Sequence, residues 1–221
     1  MEVVEGDVRL RLGPIRREDA HRFVAPESNL GLQSYEVGRY LGMTSVPTAQ
    51  GEEEWWDGAS KSDDRLHWGI YVPDDDADWK LVGNTTLHLR RPGREAESGF
   101  LLFDRAHWRQ RVASTAHLAR TMYAFQELDL LAIRSAADAP NLGSNRALLR
   151  VGYVQTGTRY GNGVTGGRPI DTNQYLLVNP SDEAWRYFWR RPDDDIPAEF
   201  HEGRARTQDA LERAAKAVRF L

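Results

Sequence analysis

The chain has 221 residues, a formal net charge of −4 and no cysteine. This length suits one domain of somewhat above-average size, or one domain with an appended segment. The charge provides no basic field for nucleic acid, and the lack of cysteine excludes disulfides, thiolate metal ligands and a cysteine nucleophile. The acidic N-terminus has no apolar core, and no apolar run approaches the roughly 20 residues of a membrane span. We therefore expect a cytoplasmic protein with no membrane partner.

The N-terminal half contains recognisable local patterns separated by an irregular stretch. Apolar and charged residues alternate from Val8 to Leu12, which predicts a strand. Three glutamates before Trp55 and Trp56 predict an acidic first helical turn. The predicted elements are a strand over 8–12, a polar helix over 16–23, irregular chain over 26–51, a helix from 52, and a hairpin of strands 68–72 and 80–89 whose turn holds the acidic run 74–76.

The second half alternates strands and helices. The continuous apolar run from Ser98 to Phe103 predicts a central strand that is buried on both faces. The predicted elements that follow are a helix over 112–128, a strand over 130–135, a helix over 141–151 ended by Gly152, a strand from 153, a loop over 161–167 and a strand over 173–178. This order predicts an α/β (α+β) fold with a mainly antiparallel sheet and one parallel junction.

The composition changes after Pro180. Ser181 predicts the cap of a short aromatic helix, and apolar residues from Ala210 to Leu221 form one stripe of a last helix. The sequence thus predicts a domain over 1–180 and a helical extension over 181–221. This extension covers the domain or joins a partner chain, so a homodimer is one expectation.

Three blocks resemble one family. Asn141 to Tyr153 resembles the Asn-x-x-Ser … Gly-Phe/Tyr segment of GCN5-related N-acetyltransferases (GNAT), in particular their ribosomal-protein-acetylating group. Glu97 to Phe100 resembles the start of that group's fourth strand, and Tyr123 to Leu128 resembles the end of its following helix. The resemblance covers about 8–178. It implies a sheet splayed between its fourth and fifth strands, with helices on both faces.

The resemblance also implies an activity. The family moves an acetyl or other acyl group from acyl-CoA to a primary amine by direct attack in a ternary complex, without a metal. Backbone groups of Leu101, Leu102 and Phe103 would pair with the pantetheine arm. Asn141 would hydrogen-bond that arm, and Ser144 would donate a proton to the leaving thiolate. The alternative for Asn141 and Ser144 is a turn followed by a helix N-cap.

The acceptor side is less well defined by the sequence. Glu97 stands where a carboxylate can deprotonate the amine, or it is a solvated residue at a strand edge. His88 on the preceding strand shares that task or is half-exposed. The chain before residue 72 and the glycine-rich 161–167 would shape a site for a small-molecule or peptide amine, with Trp55 and Trp56 at its border or in the core.

The expected pyrophosphate loop departs from the family pattern. Arg111 stands at the family's glycine, Arg109 stands where relatives often carry another glycine, and Ala113 matches. Either the guanidinium groups of the cluster Arg105, Arg109 and Arg111 hold the phosphates beside Val112 and Ala113, or ordinary CoA binding is lost. In the second case the donor is an aminoacyl-tRNA or a carrier-bound acyl group, or the protein is a non-catalytic binding module.

Two other kinds of site are not predicted. The glycines of 161–167 are not followed by the lysine and hydroxyl residue of a Walker loop. The histidines are scattered, and none lies in metal-binding register with another histidine or a carboxylate.

Overall fold

The computed structural model describes residues 1–24, 31–43, 46–74, 78–90 and 92–220. Nine strands lie within these ranges. They are β1 (Glu2–Glu5), β2 (Val8–Gly13), β3 (Arg65–Pro73), β4 (Trp79–Arg90), β5 (Glu95–Leu102), β6 (Ala132–Asp138), β7 (Val154–Thr165), β8 (Arg168–Val178) and β9 (Val218–Arg219).

The strands form one sheet in the order β7-β8-β6-β5-β4-β3-β2-β1-β9. The β5–β6 pair is parallel, and the other neighbouring pairs are antiparallel. The predicted hairpin is the β3–β4 pair, and the predicted parallel junction is β5–β6. The mixed, mainly antiparallel architecture is therefore confirmed.

Helices cover both faces of the sheet. They are α1 (Tyr35–Gly38), α2 (Ala49–Ala59), α3 (Val112–Gln126), α4 (Leu142–Val151), α5 (Asp182–Trp189) and α6 (Ala198–Ala217). Short 3₁₀ helices span Arg17–Phe23, Gly31–Gln33, Arg105–His107 and Asp193–Asp195. One apolar cluster joins α3, α4 and α6 to the sheet, and a second gathers around Phe23 and Phe103, whose rings lie 4.7 Å apart.

Two strands at the sheet edge were not predicted. In β1, Val3 is fully buried and pairs with Leu10 on one side and Val218 on the other. Two valines between glutamates are too short a run to show a period of two. Val218 continues the apolar stripe of α6, so its sequence pattern predicts helix where the chain forms β9. Residue 221, which ended that predicted stripe, lies outside the described residues.

Two element boundaries also differ from the predictions. Helix α2 begins at Ala49 because Thr48 Oγ1 accepts a hydrogen bond from the backbone N–H of Gly51 at 3.1 Å, so the glutamates fall after its start. The predicted loop over 161–167 is mostly strand, since β7 continues to Thr165 and the turn is made by Gly166 and Gly167 at φ +57° and +75°. Parts of the predicted segments 26–51 and 74–76 lie outside the described residues.

The C-terminal segment packs on the rest of the chain. Ser181 caps α5 by accepting a hydrogen bond from Ala184 N–H at 3.3 Å. Gly152 adopts φ +108° at the end of α4, where a Cβ would lie 2.1 Å from Thr207 Oγ1 of α6. The aromatic residues of α5 form a cluster within the same chain that includes Trp185, Phe188, Trp189 and Phe200. The extension therefore covers the domain, and its boundary at residue 180 stays a prediction.

Candidate active site

The sheet opens between β5 and β6. In the described chain these strands pair at three positions, from Glu95–Ala132 to Glu97–Arg134. Beyond Glu97, β5 continues to pair with β4, and β6 continues to pair with β8. The predicted splay thus begins directly after Glu97, and one edge of β5 faces the gap.

The direction of the β5 backbone groups follows from the β4–β5 ladder. Phe103 N–H donates to the Val82 carbonyl at 3.1 Å, so it is directed at β4. In an antiparallel pair, the backbone N–H and C=O groups of successive residues point alternately toward and away from the partner strand. The backbone groups of Leu101 therefore also point to β4, whereas those of Phe100 and Leu102 point into the gap. This geometry disagrees with the prediction for Leu101 and Phe103, whose N–H groups face β4, and it leaves the backbone groups of Phe100 and Leu102 on the gap side.

The tryptophan after β5 fixes the end of this edge. Trp108 Nε1 donates to the Leu102 carbonyl at 2.9 Å, which leaves the Leu102 N–H directed at the gap. Before it, buried Asp104 accepts a hydrogen bond from Ala106 N–H at 3.0 Å and so caps the 3₁₀ turn. Two hydrogen bonds therefore hold the chain that follows β5 against the end of that strand.

Left-handed backbone conformations lead into α3. Arg109 and Arg111 both have a φ of 64°, in the region where the backbone of any residue other than glycine is strained. The backbone thus adopts the conformation that glycine would permit, although neither residue is glycine. The N–H groups of Val112 and Ala113 begin the helix and have no intrahelical acceptor, so the positive end of the α3 dipole lies here.

The Arg111 side chain is engaged by an acid near the N-terminus of the protein. Its Nη2 lies 3.6 Å from Glu5 Oε1. Glu5 also contacts Arg213 Nε at 3.4 Å and accepts a hydrogen bond from Thr115 Oγ1 at 2.8 Å. The β1–β2 turn therefore draws this guanidinium to one side of the helix start.

The other two arginines of the cluster, Arg105 and Arg109, differ in whether their side chains have a partner. Arg105 Nη1 lies 3.3 Å from Glu36 Oε2 and its guanidinium lies 5.7 Å from the Trp108 ring. Arg109 is exposed, and no partner for its side chain lies among the described residues. Arg109 is thus the arginine of this cluster whose charge is left for an added anion.

The start of α4 places Asn141 and Ser144 beside the end of β6. Asn141 is the N-cap, and its Oδ1 accepts a hydrogen bond from Ser144 N–H at 3.2 Å. In this structure the Asn141 side chain therefore acts as a helix N-cap, which was one of its two predicted roles. The Ser144 hydroxyl is half-buried and has no hydrogen-bond partner within the described ranges.

Asn145 holds this helix start in place, and the sequence reasoning missed it. Its Nδ2 donates to the carbonyls of Asp138 at 2.9 Å and Asn141 at 2.7 Å. Its Oδ1 accepts from Asn173 Nδ2 and the Tyr175 hydroxyl on β8. Burial raises the pKa of Tyr175, which keeps that hydroxyl a donor. The signal available in the sequence was a second asparagine directly after Ser144.

Glu97 lies at the vertex of the gap but is not free. Its Oε1 lies 2.8 Å from Arg90 Nη2, and its side chain is 50% exposed. The hydrogen bond from Arg90 holds the pKa of the Glu97 carboxyl below its ordinary value. The carboxylate is therefore ionised at neutral pH and is a weaker base than an unpaired one.

His88 stands directly across the ladder from Glu97. Its Nε2 lies 2.8 Å from Asp64 Oδ2. Asp64 also accepts from the Ser62 hydroxyl at 2.7 Å, and these hydrogen bonds lower its pKa. This places a histidine whose ring is oriented by a carboxylate beside Glu97.

A buried polar network lies behind β5, on the α3 face. The fully buried Arg120 donates to Thr85 Oγ1 at 2.8 Å and the Gly99 carbonyl at 3.3 Å, and contacts His117 Nδ1 and the Tyr153 hydroxyl. Burial, followed by the charge of Arg120, holds the pKa of His117 well below its ordinary value. His117 is therefore neutral and accepts the arginine's hydrogen bond.

The aromatic residues of α2 pack inward. Trp56 Nε1 donates to the Ile15 carbonyl at 2.9 Å, and the Trp55 ring lies 5.5 Å from Phe23. On the acceptor side, Thr165 at the hairpin tip donates to the Arg39 carbonyl at 2.6 Å. The hairpin and the residues around α1 therefore lie close together, and the half-buried tryptophans of α2 pack against the apolar cluster around Phe23.

Two further observations bear on the kind of protein. No group of three or more histidine, aspartate or glutamate side chains in the described ranges is arranged to hold a metal ion. None of the described helices is long and apolar enough to cross a bilayer.

The comparisons with known sequences agree with each other. A family model described as the acetyltransferase (GNAT) domain matches residues 9–154. The chain is 31% identical over 182 residues to "Uncharacterized N-acetyltransferase YoaA" of Bacillus subtilis (strain 168), which covers 80% of this chain and 97% of the relative. It is 30% identical over 168 residues to "Probable N-acetyltransferase YjcK" of the same organism, with 71% and 90% covered.

Solved structures share the fold. Mycobacterium smegmatis RimJ in complex with CoA-disulfide matches with a TM-score of 0.69 at 17% identity, covering 85% of this chain and 92% of that one. Spermidine N-acetyltransferase from Vibrio cholerae in complex with CoA and spermine matches with a TM-score of 0.64 at 18% identity, covering 77% and 95%.

Proposed function

Because the chain belongs to the GNAT acetyltransferase family, we propose that the gap beside β5 and the start of α3 hold its acyl-CoA. The protein is an N-acyltransferase that moves an acyl group from acyl-CoA to an amine. The gap-facing groups of Phe100 and Leu102 would pair with the pantetheine arm. The N–H groups of Val112 and Ala113 would face the pyrophosphate, with Arg109 adding charge.

The single observation that carries this assignment is the φ of 64° at both Arg109 and Arg111. A pyrophosphate cradle needs its backbone N–H groups turned toward the ligand, and that turn requires left-handed residues. The chain keeps this conformation despite its arginines, and Glu5 draws the Arg111 side chain aside. The residues present therefore fit the cosubstrate.

In the reaction the amine nitrogen bonds to the acyl carbon and the carbon–sulfur bond breaks. One proton must leave the amine, and the sulfur must gain one. We assign the first task to Glu97, acting through water because Arg90 lowers its basicity, with His88 as the neighbouring group that can share it. We assign the second to the unpaired Ser144 hydroxyl, which passes a proton to the sulfur and regains one from water, and whose position depends on Asn141.

Three expectations about the acceptor, the cellular location and the oligomeric state belong to the same proposal. The acceptor is a primary amine on a small molecule or a peptide. The protein acts in the cytoplasm, which fits a chain without cysteine. A homodimer stays an expectation without support from the aromatic residues of α5 and α6, because they pack against each other within one chain.

Calorimetric titration with acetyl-CoA and CoA tests the assignment. Saturable one-to-one binding to the native protein is expected, and its absence would overturn the proposal. In the Arg111→Gly variant, affinity should change by less than about threefold if the side chain already lies aside. A large gain would mean that Arg111 obstructs the site. Arg190→Gly is a matched control, because Arg190 is also left-handed, at φ 51°, and ends α5 far along the chain.

A further inference from the structure

A pocket of about 280 Å³ lies between α1 and the tip of the β7–β8 hairpin. Thr165 closes one wall by its hydrogen bond to the Arg39 carbonyl. Directly after Arg39 in the chain, the Tyr40 hydroxyl donates to the Pro140 carbonyl at 3.4 Å, next to the Asn141 cap. The segment that carries Arg39 is thus linked to the helix start that carries Ser144.

Arg39 is a cation in this pocket without an acidic partner. No carboxylate among the described residues lies within ion-pair distance of its guanidinium, and its buried Nε has no hydrogen-bond partner there. The guanidinium carbon lies 4.6 Å from the centre of the Tyr40 ring, which is a cation–π contact. A charged group without a counter-charge or acceptor is unfavourable when it is partly buried, so the guanidinium of Arg39, a residue that lines the pocket, is suited to an added anion.

The nearest acid on α1 is already committed. Glu36 accepts a hydrogen bond from the Ser34 hydroxyl at 2.8 Å and pairs with Arg105 at 3.3 Å. Both partners contribute to a pKa of Glu36 below its ordinary value, and Arg39 adds a weaker effect. Glu36 is therefore not the missing counter-charge at the Arg39 Nε.

The remaining lining is neutral. It combines apolar side chains with short polar ones and contains no aspartate or glutamate among the described residues. Leu32, Met43, Val46 and Val164 supply the apolar part. Such a pocket favours a ligand that is anionic at one end and partly apolar, and it offers no acidic group for a polycation.

We propose that the acceptor is an amine that also carries a carboxylate, and that this carboxylate binds the guanidinium of Arg39. This rests on the proposed function and names the substrate class of the same site. The planar guanidinium donates two parallel hydrogen bonds to the carboxylate, which orients the molecule with its amine toward the start of α4. Polyamines are disfavoured because they would bring further positive charge beside Arg39.

Matched acceptor pairs test the charge preference. Amino acids are compared with their amides, and Ala-Asp peptides with Ala-Asn peptides, so that a free carboxylate and an acidic side chain are tested separately. Binding is measured by ligand-observed NMR in the presence of CoA, with spermidine as a third probe. The carboxylate member of at least one pair should bind about 10- to 100-fold more tightly. Equal binding within both pairs, or preference for spermidine, overturns the proposal.

The Arg39→Gln variant identifies the residue responsible. The carboxylate preference should disappear, with binding of the amides and of CoA unchanged, whereas Arg39→Lys should restore part of it. Arg186→Gln, on the exposed face of α5, is the control. Retention of the preference in Arg39→Gln overturns the assignment. CoA binding is measured by calorimetry in the same samples, so loss of the cosubstrate site is distinguished from an error about the acceptor.

Discussion

Replacing Arg109 by glycine is expected to raise the free energy of unfolding, although it removes a charged side chain. Arg109 is held at φ 64°, where a residue with a Cβ is strained. Its side chain has no partner among the described residues, so the substitution removes no attractive contact. The backbone effect is therefore isolated at this position.

The expected size follows from two opposing effects. The left-handed conformation costs a residue other than glycine about 1–2 kcal/mol. Glycine loses more conformational freedom on folding, which offsets about 0.5–1 kcal/mol. The net gain is about 0–1.5 kcal/mol, centred near 0.75 kcal/mol, and for a chain of 221 residues this central value corresponds to about 1.5–3 °C in Tm.

Two further variants separate strain from charge. Arg109→Ala removes the same charge but keeps a Cβ, so its stability should equal that of the native protein. Arg111→Gly should gain less than Arg109→Gly, because it also removes the ion pair with Glu5, worth about 0–1 kcal/mol at the surface. Chemical denaturation of the four proteins gives the comparison. If the glycine and alanine variants at 109 are equally stable, the argument from backbone strain is wrong.

Three other predictions concern the site and its surroundings. Ser144→Ala should lower kcat at least tenfold while the Asn141 cap, and hence the unfolding free energy, is retained, because the cap uses the Ser144 backbone N–H. Arg90→Gln should move the acid limb of the pH profile of kcat/KM to higher pH, because the hydrogen bond that lowers the pKa of Glu97 is lost; an unchanged limb would exclude Glu97 as the titrating group. The free energy of unfolding should fall as the pH drops below 6.5, the ordinary pKa of histidine. In this range the unfolded chain binds a proton at residue 117, whereas the buried His117 of the folded chain stays neutral. The His117→Gln variant should lose this part of the pH dependence in denaturation curves.

Local signals predicted the elements nearest the chemistry. The helix from Asn141 to Gly152 carries both a polar N-cap and a glycine at its C-terminal end, and the structure places both as expected. The start of α3 at Val112 was also predicted, from its apolar stripe. These features depend on residues a few positions apart, which is the range that a single sequence reveals.

Long-range contacts explain what was not predicted. Nothing near Arg111 in the sequence indicates that Glu5 engages its side chain, because the two residues meet only through the β1–β2 turn. The apolar run of β5 predicted burial on both faces, but Phe100 and Leu102 are only half-buried because β6 diverges. The direction of each backbone group depends on register with β4, which sequence alone does not define.

The gap beside β5 also has a consequence for solubility. An unpaired strand edge on the outside of a sheet invites pairing with other chains and promotes aggregation. Here the edge is enclosed by β6, which still pairs with β5 at Glu97–Arg134. To insert between β5 and β6, a foreign β-strand would need these strands to stand two strand spacings of about 4.8 Å apart along its whole length. The pairing of β5 with β6 up to Glu97–Arg134 prevents this separation. A thin, flexible chain meets no such restriction, so the enclosed edge excludes aggregation partners while it stays accessible to its ligand.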